Sequence, residues 1–301
     1  MKSWLGRTLP VATPSYSTVL PVNLIERFTC WRAAHPFPDY RPQPVTKESV
    51  WSWLSQFDKA DRNALLRLLS AVIYYSEEDT TRTLVQLNEK LLGRLAKEGI
   101  TSDKIVYVQV HDAGSSSPAL LNLLRDAARL ERKGCRFLDG RDTRGLHNAT
   151  NELGQGAIIY VDDFVASGTQ FCTARDFAAD FIVGNFAEFL LLPCICEEAM
   201  YELGKRGVEA FKKHIHSKQE RPLHPESTLF DDATKSRLLE LTTPIDKKWG
   251  LGFKGLATAV VFYRNTPNTV PLILRGSLKQ DPWRGVLPRT TDLPTVDGGA
   301  G

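Results

Sequence analysis

From residue 105 onward the chain repeats one pattern. A short apolar run, largely β-branched, gives way to a polar turn and then to apolar residues at helical spacing. The runs fall at 105–110, 135–138, 157–161, 189–195 and 257–263, with helical stretches at 118–133, 171–183 and 197–211 between them. Strands that are apolar on both faces and separated by helices predict a parallel sheet covered on each side. The expected class is therefore α/β with a parallel twisted sheet, and such sheets bind ligands at the carboxyl ends of their strands. That narrows the search for function to the turns that follow the runs.

The first hundred residues read differently. Residues 1–45 hold seven prolines and suggest an extended arm with one short helix near 24–33. Residues 46–100 predict a helical cap. Val50, Trp51, Trp53, Leu54 and Phe57 mark one helix. Asp58 is placed to cap a second, with apolar positions from Leu65 to Ile73, and Ser76 to cap a third, with the stripe Leu84, Leu87, Leu91, Leu95 ending at Gly99. The core then spans 101–289, and 290–301 reads as a disordered tail.

Lys plus Arg exceed Asp plus Glu by three, too balanced for bulk electrostatics to argue for nucleic acid. Nucleic acid stays a weakly supported partner, through the basic stretch around Arg206, Lys212, Lys213, Lys218 and Arg221. Five scattered cysteines show neither disulfide nor zinc spacing, which predicts buried thiols in a cytoplasmic protein. No apolar run reaches the roughly 20 residues of a membrane helix, and no signal peptide is expected.

One segment carries most of the chemical information: the strand 157–161, then Asp162-Asp163, then Phe164-Val165-Ala166-Ser167-Gly168-Thr169-Gln170 opening a helix. The turn from Ala166 to Gln170 can aim backbone N–H groups and two hydroxyls at one point. Gly168 allows a left-handed backbone there, and the helix N-terminus adds partial positive charge, which suits phosphate. Asp162 and Asp163 have the wrong sign for phosphate and the right chemistry for ribose hydroxyls or hydrated Mg²⁺. A phosphate cradle beside a diol-binding pair fits a ribose 5-phosphate unit.

The segment resembles the 5-phosphoribosyl-1-pyrophosphate (PRPP) signature of type I phosphoribosyltransferases, with Ser167 where Thr is commoner and Gln170 where another Thr often sits. The helical lead, the turn Asn265-Thr266-Pro267-Asn268 and the closing Trp283…Leu287-Pro288-Arg289 look like the phosphoribosyltransferase-like branch of bacterial conflict and phage-defence systems, over roughly 45–289. The resemblance implies a type I phosphoribosyltransferase fold that binds PRPP with Mg²⁺ and transfers or hydrolyses a phosphoribosyl group. The acceptor stays open. It gives Asp162 and Asp163 the catalytic and water-mediated metal roles, and Ala166, Ser167, Gly168, Thr169 and Gln170 the 5′-phosphate. It implies an effector in antiviral defence, with an operon-encoded partner and a homodimer as expectations. The alternative is an inactive nucleotide- or PRPP-binding regulatory subunit.

By the same resemblance Gly114, Ser115, Ser116 and Ser117, after the first core strand, would hold pyrophosphate, with His111 and Asp112 as turn formers. The polar stretch 138–148 would be a mobile loop bringing Arg141 and Arg144 over the leaving group, and His147 is a weaker proton donor. Residue by residue, these stretches also read as a capped turn and a solvated connection. His214 and His216, with His224, hint at a metal cluster, but the flanking lysines favour an exposed basic loop.

Overall fold

The computed structural model describes residues 24–110, 116–242, 249–276 and 284–290. Most of the arm, the tail, His111, Asp112, Gly114, Ser115 and Trp283 lie outside them.

The N-terminal part forms helices α1 (Leu24–Ala34), α2 (Lys47–Ser55) and α3 (Arg62–Ser70), a short strand β1 (Ile73–Tyr75) and the long helix α4 (Glu77–Lys97). Local chemistry accounts for the ends. A reciprocal capping box of Thr46 and Ser49 starts α2. The Ser76 hydroxyl accepts the Asp79 N–H at 3.0 Å to start α4, with three acids in its first turn, and Gly99 follows its end at φ +80°. Two expectations fail. Asp58 does not cap α3, which begins at Arg62. Asp61 stands at its N-cap and makes no cap bond there, because its carboxylate takes Arg237 at 3.1 and 2.8 Å. Ile73 is not helical either. It pairs in parallel with Val260, a partner far away in the chain.

The main sheet comprises β2 (Ile105–Gln109), β3 (Arg136–Asp139), β4 (Gln155–Val161), β5 (Phe164–Val165), β6 (Asn185–Cys196) and β7 (Val208–His216). Its order is β3-β2-β4-β6, with β5 and β7 both on β6, and every pairing is parallel. The crossovers are α5 (Ser116–Ala127), α6 (Thr143–Leu153), α7 (Thr169–Ala179) and α8 (Glu197–Gly204). Alternate residues of each strand face opposite ways. Tyr107, Ile159 and Leu191 pack with α4 and α5, whereas Val108, Tyr160 and Leu190 pack with Leu146, Phe171 and Ala199 of α6, α7 and α8. This is the expected two-sided α/β sheet.

Three further expectations need correction. The helix over 197–211 stops at Gly204, and the basic loop beyond it is strand β7. Gly207 turns the chain at φ +68°, after which Val208 and Ala210 are buried and alternate with exposed Glu209. Lys212 and Lys213, read as part of a loop, belong to an edge strand, where charge discourages further pairing, and Lys218 follows it in a short 3-10 turn. The stretch 138–148 is not a loop throughout: β3 ends at Asp139, and α6 starts at Thr143 under an Asp142 cap that accepts the Gly145 N–H at 2.9 Å. Finally, the run at 257–263 leaves the main sheet. Its strand β8 (Val260–Phe262) pairs with β1 in a separate two-stranded sheet, and α9 (Asp232–Glu240) and α10 (Leu272–Arg275) complete the described elements.

One face of the second sheet meets Cys194 and Phe164 of the main sheet, and the other packs into a second apolar cluster. Trp53, Leu54 and Leu65 of the first helices pack with Leu238, Val261, Ile273 and Leu287. Trp53 is buried and its indole N–H donates to the Ile273 carbonyl at 2.9 Å. The helical lead and the C-terminal segment thus share one core at the carboxyl edge of the main sheet.

Candidate functional site

Strand β4 lies in the middle of the sheet and delivers Asp162 and Asp163 at its tip. The tip has a covalent cause in the neighbouring strand. The register of β4 on β6 (Val161 opposite Leu191) continues unchanged in β5 (Phe164 opposite Cys194), so Asp163 stands level with Pro193. Proline has no N–H to give to a ladder, and pairing lapses there on the β7 side as well, between Leu192 and Cys194. The two aspartates therefore interrupt pairing where the neighbour cannot sustain it. Asp162 still donates its N–H to the Leu191 carbonyl at 3.0 Å.

Asp162 is only 6% exposed, and Asp163 is partly buried. The Asp162 carboxylate accepts the Asp163 N–H at 2.9 Å, and the Asp163 carboxylate accepts the Phe164 N–H at 2.7 Å. Each side chain is thereby oriented by the backbone that follows it. Two oriented carboxylates offering oxygen ligands form a donor set that fits a hydrated divalent cation or a vicinal diol.

The turn then closes onto α7. Gly168 stands at its N-cap with φ +77° and has no side chain of its own to cap the helix. A Cβ on Gly168 would meet the Glu202 Cβ at 3.2 Å and the Ala199 Cα at 3.4 Å, so α8 crowds the turn. Ser167 Oγ accepts the Thr169 N–H at 3.4 Å and lies 3.2 Å from Thr169 Oγ1. Ala166 and Ser167 are partly buried, while Thr169 and Gln170 are exposed.

Helix α7 is held by ions at its far end. Arg175 pairs with Glu188 of β6, through Nε at 2.8 Å and through Nη2, and the same carboxylate accepts the Tyr160 hydroxyl at 2.8 Å. Arg206 adds two bonds to Asp176 at 2.9 and 2.8 Å. Burial together with the Glu188 charge drives the Tyr160 phenol well above its ordinary pKa, so it stays a donor. The network sets where the N-terminus of α7 points.

The first loop reaches the same edge. Ser116 opens α5, and the fully buried Ser117 donates its hydroxyl to the Val161 carbonyl at 2.8 Å, one residue before Asp162. Ser117 thus ties α5 to the aspartate-bearing tip. Arg141 follows β3, two strands from β4 and about 10 Å away. It donates from its backbone N–H, Nε and Nη2 to Asp139 at 2.9, 3.2 and 3.0 Å, which lowers the Asp139 carboxyl pKa. Arg144 and His147 are exposed on α6. The turn at 265–268 is tied inward: Asn265 Oδ1 accepts the Thr266 and Thr290 N–H groups at 3.0 and 3.1 Å, and Thr266 is buried.

One contact at the 166–170 turn had no counterpart in the sequence reading. Lys254 Nζ donates to Thr169 Oγ1 at 2.7 Å from a segment 85 residues further along the chain. The available signal was the glycine-flanked lysine in Gly252-Phe253-Lys254-Gly255, a spacing typical of irregular backbone. Two buried side chains hold that segment. His216 Nε2 accepts the Ala259 N–H at 3.1 Å. Arg221, fully buried, pairs with Glu198 at 2.8 and 2.6 Å and donates to the carbonyls of His216 and Leu256 at 3.0 and 3.4 Å.

His214, His216 and Glu220 do cluster, with one potential ligand atom from each within 4.8 Å of the others. The hydrogen bonding argues against a metal there. Because Nε2 of His216 accepts a backbone N–H, the neutral ring carries its proton on Nδ1, which faces Glu220 Oε2 at 3.6 Å and has no lone pair to give. Burial lowers the His216 pKa to about 4, the Arg221 charge adding to it. The five cysteines are buried and unbridged as expected, and burial pushes Cys196 up to about 12. Among the described residues no helix is long and apolar enough to cross a membrane.

An all-parallel sheet, wrapped on both faces and carrying paired aspartates and a glycine-hinged turn at the tip of a central strand, defines a phosphoribosyltransferase-like α/β protein. A scan against protein families matches the PRTase-CE family over residues 50–289, most of the chain, which therefore belongs to that family. Comparison with curated proteins returns no match. Solved structures similar to the chain include an orotate phosphoribosyltransferase from Aeropyrum pernix, at 15% identity over 45% of this chain and 68% of that one, TM-score 0.30. Another is a hypothetical protein from Neisseria gonorrhoeae with bound ppGpp, at 13% identity over 56% and 96% of the two chains, TM-score 0.33.

Proposed function

We propose that this protein binds PRPP with Mg²⁺ at the tip of β4 and transfers or hydrolyses its phosphoribosyl group. The observation that carries the reading is the juxtaposition on one strand–turn–helix unit of a backbone-oriented aspartate pair and a helix N-terminus hinged at a left-handed glycine. The first suits a ribose diol and the second a phosphate dianion. In this reading Asp162 and Asp163 hold the diol and, through water, Mg²⁺, which when bound supplies charge neutralisation at the departing diphosphate. The amides and hydroxyls from Ser167 to Thr169 anchor the 5′-phosphate, so that C1 is presented in a fixed position as positive charge develops on the ring. Rate acceleration comes from positioning and from fixed dipoles.

Calorimetry with PRPP and Mg²⁺ tests this. The wild-type chain binds, and Asp162→Asn and Gly168→Val do not. Tight binding by both variants overturns the assignment. Exchange of labelled pyrophosphate into PRPP separates turnover from the alternative, a regulatory subunit that binds the donor without reacting. The wider reading, an effector of bacterial defence, requires a growth arrest on expression that Asp163→Ala abolishes.

A further inference from the structure

The phosphate turn has no cation of its own. Between Asp163 and Arg175 the sequence contains no charged residue, while two carboxylates lie immediately before the turn. A helix N-terminus supplies about half a unit of positive charge, and a phosphate monoester carries nearly two negative charges. The missing charge arrives from elsewhere in the fold. Lys254 is exposed, and its ammonium sits 2.7 Å from the hydroxyl of Thr169, the first residue of α7.

The lysine is held there against its backbone preference. Lys254 has φ +56° and ψ 18°, a left-handed conformation that costs a non-glycine residue roughly 1–2 kcal/mol. Ala257, three residues on, is also left-handed at φ +49°. The surroundings impose both. Phe253 donates its N–H to Asn268 O at 2.9 Å, Ala257 to Leu251 O at 2.9 Å and Thr258 to Thr269 O at 3.0 Å. A Cβ on Gly252 would meet the Thr269 carbonyl oxygen at 2.4 Å, so the segment is packed backbone to backbone. Arg221 and His216 clamp it from the sheet side. Strain retained next to a ligand-shaped turn points to a role for the strained residue.

We propose that Lys254 is a direct ligand of the donor's 5′-phosphate, its ammonium exchanging the Thr169 hydroxyl for a phosphate oxygen. The assignment rests on the reading of the 166–170 turn as a phosphate site. It adds a recognition residue from the C-terminal segment, and it makes the phosphate end of the site a composite of two distant parts of the chain.

The test is calorimetric titration of PRPP with Mg²⁺ into the full chain and its Lys254→Met and Lys254→Arg variants, with melting temperatures recorded alongside. Because the side chain is exposed, both variants keep the wild-type melting temperature. Loss of one charge-assisted bond weakens binding by about 10- to 100-fold in Lys254→Met, and Lys254→Arg retains most of the affinity. Wild-type affinity in Lys254→Met overturns the inference and leaves the donor site intact. An equal loss in both variants also overturns it, since charge would not be responsible. A wild-type chain that binds no PRPP overturns the site reading and this inference together.

Discussion

The sharpest consequence of the clamp around His216 is an acid sensitivity that one substitution removes. His216 is fully buried, and its Nε2 lone pair is occupied by the Ala259 N–H. Protonating that nitrogen breaks the bond and puts a charge among Arg221, His214, Glu198 and Glu220, of which the two carboxylates only partly compensate. The folded state therefore resists the proton until about pH 4, whereas an unfolded chain takes it near pH 6.5. Between those values the unfolded state binds more protons, so stability rises with pH and is lost on acidification. Going from pH 7.5 to pH 5 removes about 2 kcal/mol through this one residue, and about 3 kcal/mol once the pH is below 4. His216→Gln keeps an acceptor for the Ala259 N–H and does not titrate. Urea unfolding of the two chains at pH 7.5, 6 and 5 measures the difference directly. The neighbouring carboxylates, and His224 with its own lowered pKa, act on both chains and cancel in the comparison. Parallel stability-versus-pH curves would refute the argument, because His216 would then be titrating as if exposed.

Three other outcomes follow from the packing. Gly168→Ala forces a left-handed alanine against Glu202 and Ala199 and costs roughly 1–2 kcal/mol, read as a lower denaturation midpoint. Glu188→Ala removes the bidentate partner of Arg175, whose guanidinium at 14% side-chain exposure keeps Asp176 at 3.2 Å. It destabilises by about 1–3 kcal/mol, and hydrogen exchange rises first in the amides of α7. Trp53→Ala removes the largest side chain joining the helical lead to the C-terminal segment and its bond to Ile273. About 3–5 kcal/mol is lost in thermal unfolding, and protection falls in β1 and β8 together.

Much of this molecule was legible in one dimension. Buried parallel strands must be apolar on both faces, so β2, β4 and β6 announce themselves as continuous runs, and their periodicity needs no partner to be read. The Ser76 cap and the Gly99 stop are settled within a few residues by local hydrogen bonding and by φ. The aspartate tip and the glycine-hinged turn are also local, since one strand, one turn and one helix start carry them.

What escaped that reading depends on partners remote in the chain. β1 and β7 are short or charged, and they are strands because β8 and β6 offer them a ladder. Asp61 forgoes its cap for Arg237, 176 residues away. The gap in pairing at Asp163 depends on Pro193 being level with it across β6. Lys254 meets Thr169 only because buried His216 and Arg221 hold its loop in a conformation its own residues disfavour. Local propensities weigh a fraction of a kcal/mol per residue, and burial and pairing across the fold outweigh them at these positions.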